Sequence, residues 1–216
     1  MTPNPSFELT RYGRRLNSNV RHLEDGKSMR EIPESIPLLN EATDQSQGPT
    51  DNDALRVLKE QDQAVRIGPV GSIDWSKVSP QDAQRRAEVT KMLHAGCVRT
   101  ANDFCNAALI FQHGEQVEDF QLAYSLASVS IKLDPSNKDA RWLTAASWDR
   151  IMKAWGKPQW YGTQYTGPHP SGRKWQLYKV DEAAVTDAER NALGVPTVAE
   201  MRARVRRLNV SGRADR

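Results

Sequence analysis

The stretch Asn137-Lys-Asp-Ala-Arg-Trp-Leu-Thr-Ala-Ala-Ser-Trp-Asp-Arg-Ile-Met-Lys-Ala-Trp155, followed by Gly156, decides the fold. Asn137 is a good helix N-cap and Gly156 a good stop, so the spacing predicts one helix between them. At 100° per residue, Trp142, Leu143, Ala145 and Ala146 fall on one side. Trp148, Ile151, Met152 and Trp155 fall on the other. Such a helix has little surface left to expose, so it must sit among other helices. It nevertheless carries two adjacent charges, Asp149 and Arg150, near its C-terminal end.

Working outward, residues 53–66 suit a helix with Leu55, Leu58 and Val65 on one side. A turn-rich linker with Gly68, Pro69 and Gly71 follows. Ser79 reads as an N-cap with Pro80 at the first helical position, opening a helix that ends at Gly96. Residues 102–113 are apolar all the way round and should be buried on most sides, with Gly114 as the stop. A helix over 117–133 has Glu118 and Asp119 favouring its N-terminal dipole. The turn Asp134-Pro-Ser-Asn137 leads into the central helix. Thr186-x-x-Glu189 and Thr197-x-x-Glu200 are two capping boxes, each opening a short helix. The expected fold is therefore all-α: a compact bundle of helical hairpins with a long ordered loop after the central helix.

Across the 216 residues, 38% are apolar and 26% charged, and the polarity is uneven. Residues 1–52 have almost no sustained apolar period and read as a disordered leader. Residues 53–209 read as a single helical domain, and 210–216 as a flexible basic tail. There is no run of eighteen apolar residues and no apolar stretch of signal-peptide length at the N-terminus, so neither a membrane span nor export is expected. Cys97 and Cys105 read as reduced thiols, which fits a cytoplasmic protein. The net charge of +3 is modest, and arginines crowd the end of the chain at 202, 204, 206, 207, 213 and 216. No aromatic is interleaved with them, so they read as a solvated helix face rather than a nucleic-acid contact.

Three features carry candidate chemistry. The first is Asp149 and Arg150, which point about 100° apart and so each need a partner elsewhere. The second is Gln112-His113 at the end of the buried helix, where the dipole favours the imidazolium and a nearby carboxylate would complete an acid–base pair. The third is the irregular segment after Gly156, which holds Gln159-Trp-Tyr161-Gly-Thr163-Gln164. Its amides, phenol and hydroxyl surround one glycine that permits a tight turn. The other histidines, His22, His94 and His169, show no metal-ligand spacing with His113. Phosphate-binding glycine loops, nucleophile elbows and paired Cys-x-x-Cys motifs are absent, so no metal or cofactor is expected.

Two local resemblances are short. Ser6-Phe-Glu-Leu-Thr-Arg-Tyr-Gly-Arg-Arg15 resembles a translated repeat found at the ends of unrelated bacterial reading frames, which would place the start of the folded protein downstream. Ala123–Ala140 resembles one unit of a tetratricopeptide-type repeat, and a single unit implies a helix-hairpin habit rather than an array. A wider resemblance runs through Asp62-Gln63-x-x-Arg66, Gln112-His113, Asp149-Arg150, Gln159-x-Tyr161-Gly-Thr163-Gln164 and Arg190. In that order they resemble a bacterial family of unassigned activity marked by a QH … DR … Q-x-YGTQ series, over roughly residues 55–200. The family commonly continues QH with an acidic residue, where this chain has Gly114. The resemblance implies a helical domain and one common polar site that includes Asp62 and Arg66.

These readings combine into one expectation. A polar pocket gathers His113 as proton carrier, Asp149 as its orienting or basic partner, and Arg150 as an anion binder. Gln112, Gln159, Tyr161, Thr163 and Gln164 position a small polar or anionic substrate, with Asp62 and Arg66 beside them. Hydrolytic or acid–base chemistry fits such a set. The alternative is a non-catalytic helical-hairpin module that binds a protein partner, its polar residues serving as internal struts.

Overall fold

The computed structural model describes residues 48–67, 73–167 and 174–214, with side chains described as far as Val210. All belong to one unit, Ser46–Arg216. The described elements are α1 (Asp53–Ala64), α2 (Trp75–His94), α3 (Ala101–Gln112), α4 (Val117–Leu133), α5 (Lys138–Ala154), the strands β1 (Tyr165–Thr166) and β2 (Gln176–Leu177), α6 (Asp187–Ala192) and α7 (Val198–Ala214). No helix among them is long and apolar enough to cross a membrane.

The all-α expectation holds. Helices α3, α4 and α5 are joined by four-residue connections and pack on one another in sequence, as helical hairpins do. Helix α1 lies against α3 and α2. The main core is formed by Leu55, Val89, Ile110, Phe111, Leu126 and Leu143. A second, smaller core gathers Ala145 of α5 with Val195, Val198 and Met201, and Tyr161, Tyr165, Leu177 and Val180 pack against it. Ala145 thus joins the long connection after α5 to the bundle.

Several elements differ from expectation for identifiable reasons. Helix α2 starts at Trp75, because Asp74 accepts a hydrogen bond from the Ser76 N–H (3.1 Å) and caps it there. Pro80 consequently lies inside the helix, at the cost of one ladder bond close to its end. Trp142 on α5 and Trp155 at its C-cap keep 40% and 52% of their surface exposed, so this helix is not covered on all sides. The connection after α5 contains an antiparallel ribbon pairing Tyr165 with Leu177 and Thr166 with Gln176. Helix α7 continues to Ala214, past the expected tail boundary at 209/210.

Of the expected leader, residues 1–47 lie outside the described residues. Its last residues are part of the fold. Asn52 caps α1 through the Leu55 N–H (3.1 Å) and donates from its side chain to the Cys97 carbonyl (3.1 Å). Its backbone N–H reaches the Asp103 carboxylate (2.8 Å), and Asp51 accepts from the Thr100 hydroxyl (2.6 Å) and the Asn102 amide (2.9 Å). Asp103 also completes the capping box of α3 with Thr100. One short segment therefore fixes the starts of two helices.

Asn52→Ala should lower stability by about 1–2 kcal/mol, read as a lower urea midpoint at unchanged slope. An unchanged midpoint would mean that the chain before α1 holds nothing in place.

Candidate functional site

Asp62 lies in the last turn of α1 with no exposed surface. A bare carboxylate there would be costly, and the fold surrounds it with donors. His113 Nδ1 lies 2.8 Å from its Oδ2, Gln63 Nε2 donates to the same oxygen at 2.8 Å, and Arg66 Nη1 lies 3.1 Å from its Oδ1. Arg85 Nε stands 3.7 Å from Oδ1. Burial raises the Asp62 carboxyl, but the His113 hydrogen bond and the charges of His113 and Arg66 outweigh it, so the group sits below its ordinary value. The carboxylate is ionised and can only accept, so His113 Nδ1 is the donor in this contact. Nε2 has no protein partner among the described residues.

Helix α2 extends the network. Asp82 accepts from Arg66 Nη2 (2.6 Å) and from Arg85 one turn along its own helix. Arg86 donates to the His113 carbonyl (3.3 Å) and faces Asp119 of α4 (Nε to Oδ1, 3.5 Å). Asp119 also caps the N–H groups of Glu115 and Gln116. It leaves no room beside Gly114, where an added Cβ would lie 2.2 Å from the Asp119 Cβ. Glycine at 114 therefore has a local steric reason.

Arg150 approaches from α5. Its guanidinium carbon stands 5.6 Å from the Phe120 ring centroid, and its Nε is buried without a hydrogen-bond partner. Burial first, and then the charge of Arg66, push it below its ordinary value. Among the described residues it has no carboxylate partner. Asp62 and Asp82 thus face the guanidiniums of Arg66 and Arg85, and Arg150 adds a further positive charge that Arg66 feels. Gln112 ties α3 to α5 by accepting the Ser147 hydroxyl (2.7 Å).

Asp149 belongs to a different arrangement, and this corrects its expected pairing with His113. Its Oδ1 accepts the Trp160 and Tyr161 N–H groups (2.8 and 2.9 Å), and its Oδ2 the Thr163 N–H and hydroxyl (2.8 and 2.9 Å). Burial raises this carboxyl and the four donors partly offset the rise. From the other side, buried Arg190 donates to the carbonyls of Trp160 (2.8 Å) and Tyr161 (3.3 Å). Gln159 has no exposed surface, and its amide bridges Gln164 O (3.0 Å), Tyr178 O (2.9 Å) and Gln164 N (2.8 Å). Gln164 Nε2 reaches the Ala146 carbonyl at 3.5 Å, and the Tyr161 ring packs on the second core. Gly162 has φ +91° and carries Met201 against it, where a Cβ would meet the Met201 Cε at 2.5 Å. The amides expected to read a substrate are taken up in holding the loop.

The structure therefore brings together His113, Asp62 and Arg66, with Arg150 within reach of the Arg66 charge. It sets Asp149, Gln159, Thr163 and Gln164 apart as a loop anchor. No family model, no curated protein and no solved structure matches this chain. Sequence reasoning missed Asp82, Arg85 and Arg86, although their spacing on α2 puts Asp82 one turn from both arginines. Among the described residues no three His, Cys, Asp or Glu gather as a metal set. Cys97 and Cys105 are free thiols; burial and the charge of Asp139 push Cys105 up to about 11, too high for a thiolate nucleophile at neutral pH.

Asp149→Asn would turn a donor toward donors and should cost about 3 kcal/mol, a fall of roughly 6–12 °C in Tm. Because Asp62 is lowered on folding, its contribution is present above the ordinary carboxylate range and lost as pH falls through its folded value. Asp62→Asn should therefore flatten the acid limb of stability against pH below about pH 4. An acid limb as steep as in wild type would contradict that role.

Proposed function

We propose that the Asp62–His113 pair is an acid–base site acting on a small anionic substrate. The observation that carries this reading is the 2.8 Å contact between His113 Nδ1 and a fully buried carboxylate, with Nε2 unpaired among the described residues. Asp62 holds the ring in one tautomer and stabilises the imidazolium that forms when Nε2 takes a proton. His113 first, and then Arg66 and Gln63, keep Asp62 ionised and in place. Arg150 receives the anionic group of the substrate, since a half-buried guanidinium without a carboxylate is a poor structural strut. Asp149 and the 159–164 loop shape one side of α5 and take no part in proton transfer. Proton transfer to or from a substrate beside a guanidinium fits hydrolysis or isomerisation of a phosphate or carboxylate compound.

If Arg150 serves a substrate rather than the fold, removing its charge should not weaken the protein. Arg150→Met should leave stability unchanged or raise it by about 1 kcal/mol. In a thermal-shift panel of small phosphate and carboxylate compounds, one should stabilise wild type, by about 2.7 kcal/mol at a hundredfold excess over its Kd. Arg150→Met should abolish that shift. With the same compound as substrate, His113→Gln should lower turnover by about 100-fold or more. A destabilised Arg150→Met together with no anion-dependent shift would show the polar groups to be struts, as the interaction-module reading holds.

A further inference from the structure

A concave surface lies away from the Asp62–His113 pair. A cleft of about 710 Å³ opens where α7 passes α5 and β1, with Trp142, Tyr165, Met201, Leu208, Arg204 and Arg207 in its walls. That volume is within the range of small-molecule sites, about 300–1,000 Å³. Three of its features are unused by the fold. Trp142 keeps 40% of its surface exposed although it projects from the central helix. Arg204 and Arg207 stand one turn apart on α7, and neither has a carboxylate partner among the described residues. Arg204 places its guanidinium carbon 5.9 Å from the Tyr165 ring centroid, an aromatic–cation platform at the cleft wall.

The one carboxylate in the walls, Glu200, is committed elsewhere. It caps α7 by accepting the Thr197 N–H and hydroxyl, both at 2.8 Å, and those bonds hold it below its ordinary value. The nearby Arg202 is also committed, to Glu182. The cleft therefore offers an aromatic surface and two guanidiniums with one neutralising charge, over an apolar floor of Met201 and Leu208.

We infer that this cleft binds a small ligand that joins a flat ring to an anionic group, such as a nucleoside monophosphate. The ring would lie against Trp142, and the anion would meet Arg204 and Arg207, which arginine suits through its paired N–H groups. Neither half alone should suffice. An exposed aromatic contact is worth about 1–3 kcal/mol and an exposed charge contact is screened by salt. This inference is independent of the proposed acid–base site.

The test is isothermal titration of the full chain with AMP, adenosine and inorganic phosphate. AMP should bind with Kd below about 1 mM, and adenosine and phosphate at least about tenfold more weakly. Trp142→Ala and the double change Arg204→Gln with Arg207→Gln should each weaken AMP binding at least about tenfold, whereas His113→Gln and Arg150→Met should leave it unchanged. Circular dichroism melts of the variants show whether the fold survives. Absence of AMP binding to wild type would overturn the inference. So would AMP binding that the folded cleft variants retain, or that His113→Gln abolishes.

Discussion

A carboxylate with no access to water imposes conditions on everything near it. Asp62 meets them through groups from three elements: hydrogen bonds from Gln63 beside it and His113 at the end of α3, and the charges of Arg66 just past α1 and Arg85 of α2. Removing any one would leave a buried charge short of compensation, a far larger penalty than the loss of a surface ion pair. The relative placement of α1, α2 and α3 is thus set by an electrostatic requirement as well as by the packing of Leu55, Val89 and Ile110. The same requirement orients His113. Its ring cannot turn without stranding Asp62, so the nitrogen that faces away is the one available to a proton.

The two polar clusters differ in how completely their groups are satisfied. Around Asp149 every oxygen has donors, the loop carbonyls have Arg190, and Gln159 uses its amide on three partners. That cluster behaves as a joint. Around Asp62, that carboxylate's own Oδ1, Arg85 Nε and Arg150 Nε are all buried without a hydrogen-bond partner among the described residues. A saturated network stabilises a fold, whereas an unsaturated one holds an energetic debt that only a further group can relieve. That contrast separates the residues we assign to stability from those we assign to function.

Much of this was legible in the sequence, because helix stops and caps act locally. Asn137, Gly156, Thr186 with Glu189, and Thr197 with Glu200 mark their helix ends as read. The start of α2 was misread because Ser79-Pro80 carries the same local signal as Asp74, and only the burial of Val78 on an earlier turn decides between them. The sequence singled out Asp62, His113 and Asp149 but not which of them would meet. Asp149 is closer in sequence to the loop than to His113, yet periodicity gives only the face of a helix, not what lies opposite it. Asp62 and His113 are 51 residues apart and meet through the packing of α1 on α3. No local pattern encodes that contact. The ribbon of Tyr165 and Leu177 is similarly non-local: two residues on each side have no strand signature, and Gln159 with Gln164 supplies the bonds that hold it.

The central claim is that Asp62 fixes His113 with its proton on Nδ1 and its basic nitrogen on Nε2. Nitrogen-15 NMR of the histidine side chains reads this directly, with the His113 signals assigned by their loss in His113→Gln. The neutral His113 ring should be the Nδ1–H tautomer, and Asp62→Asn should shift its tautomer balance. A neutral His113 protonated on Nε2, with a tautomer balance unchanged by Asp62→Asn, would contradict the account.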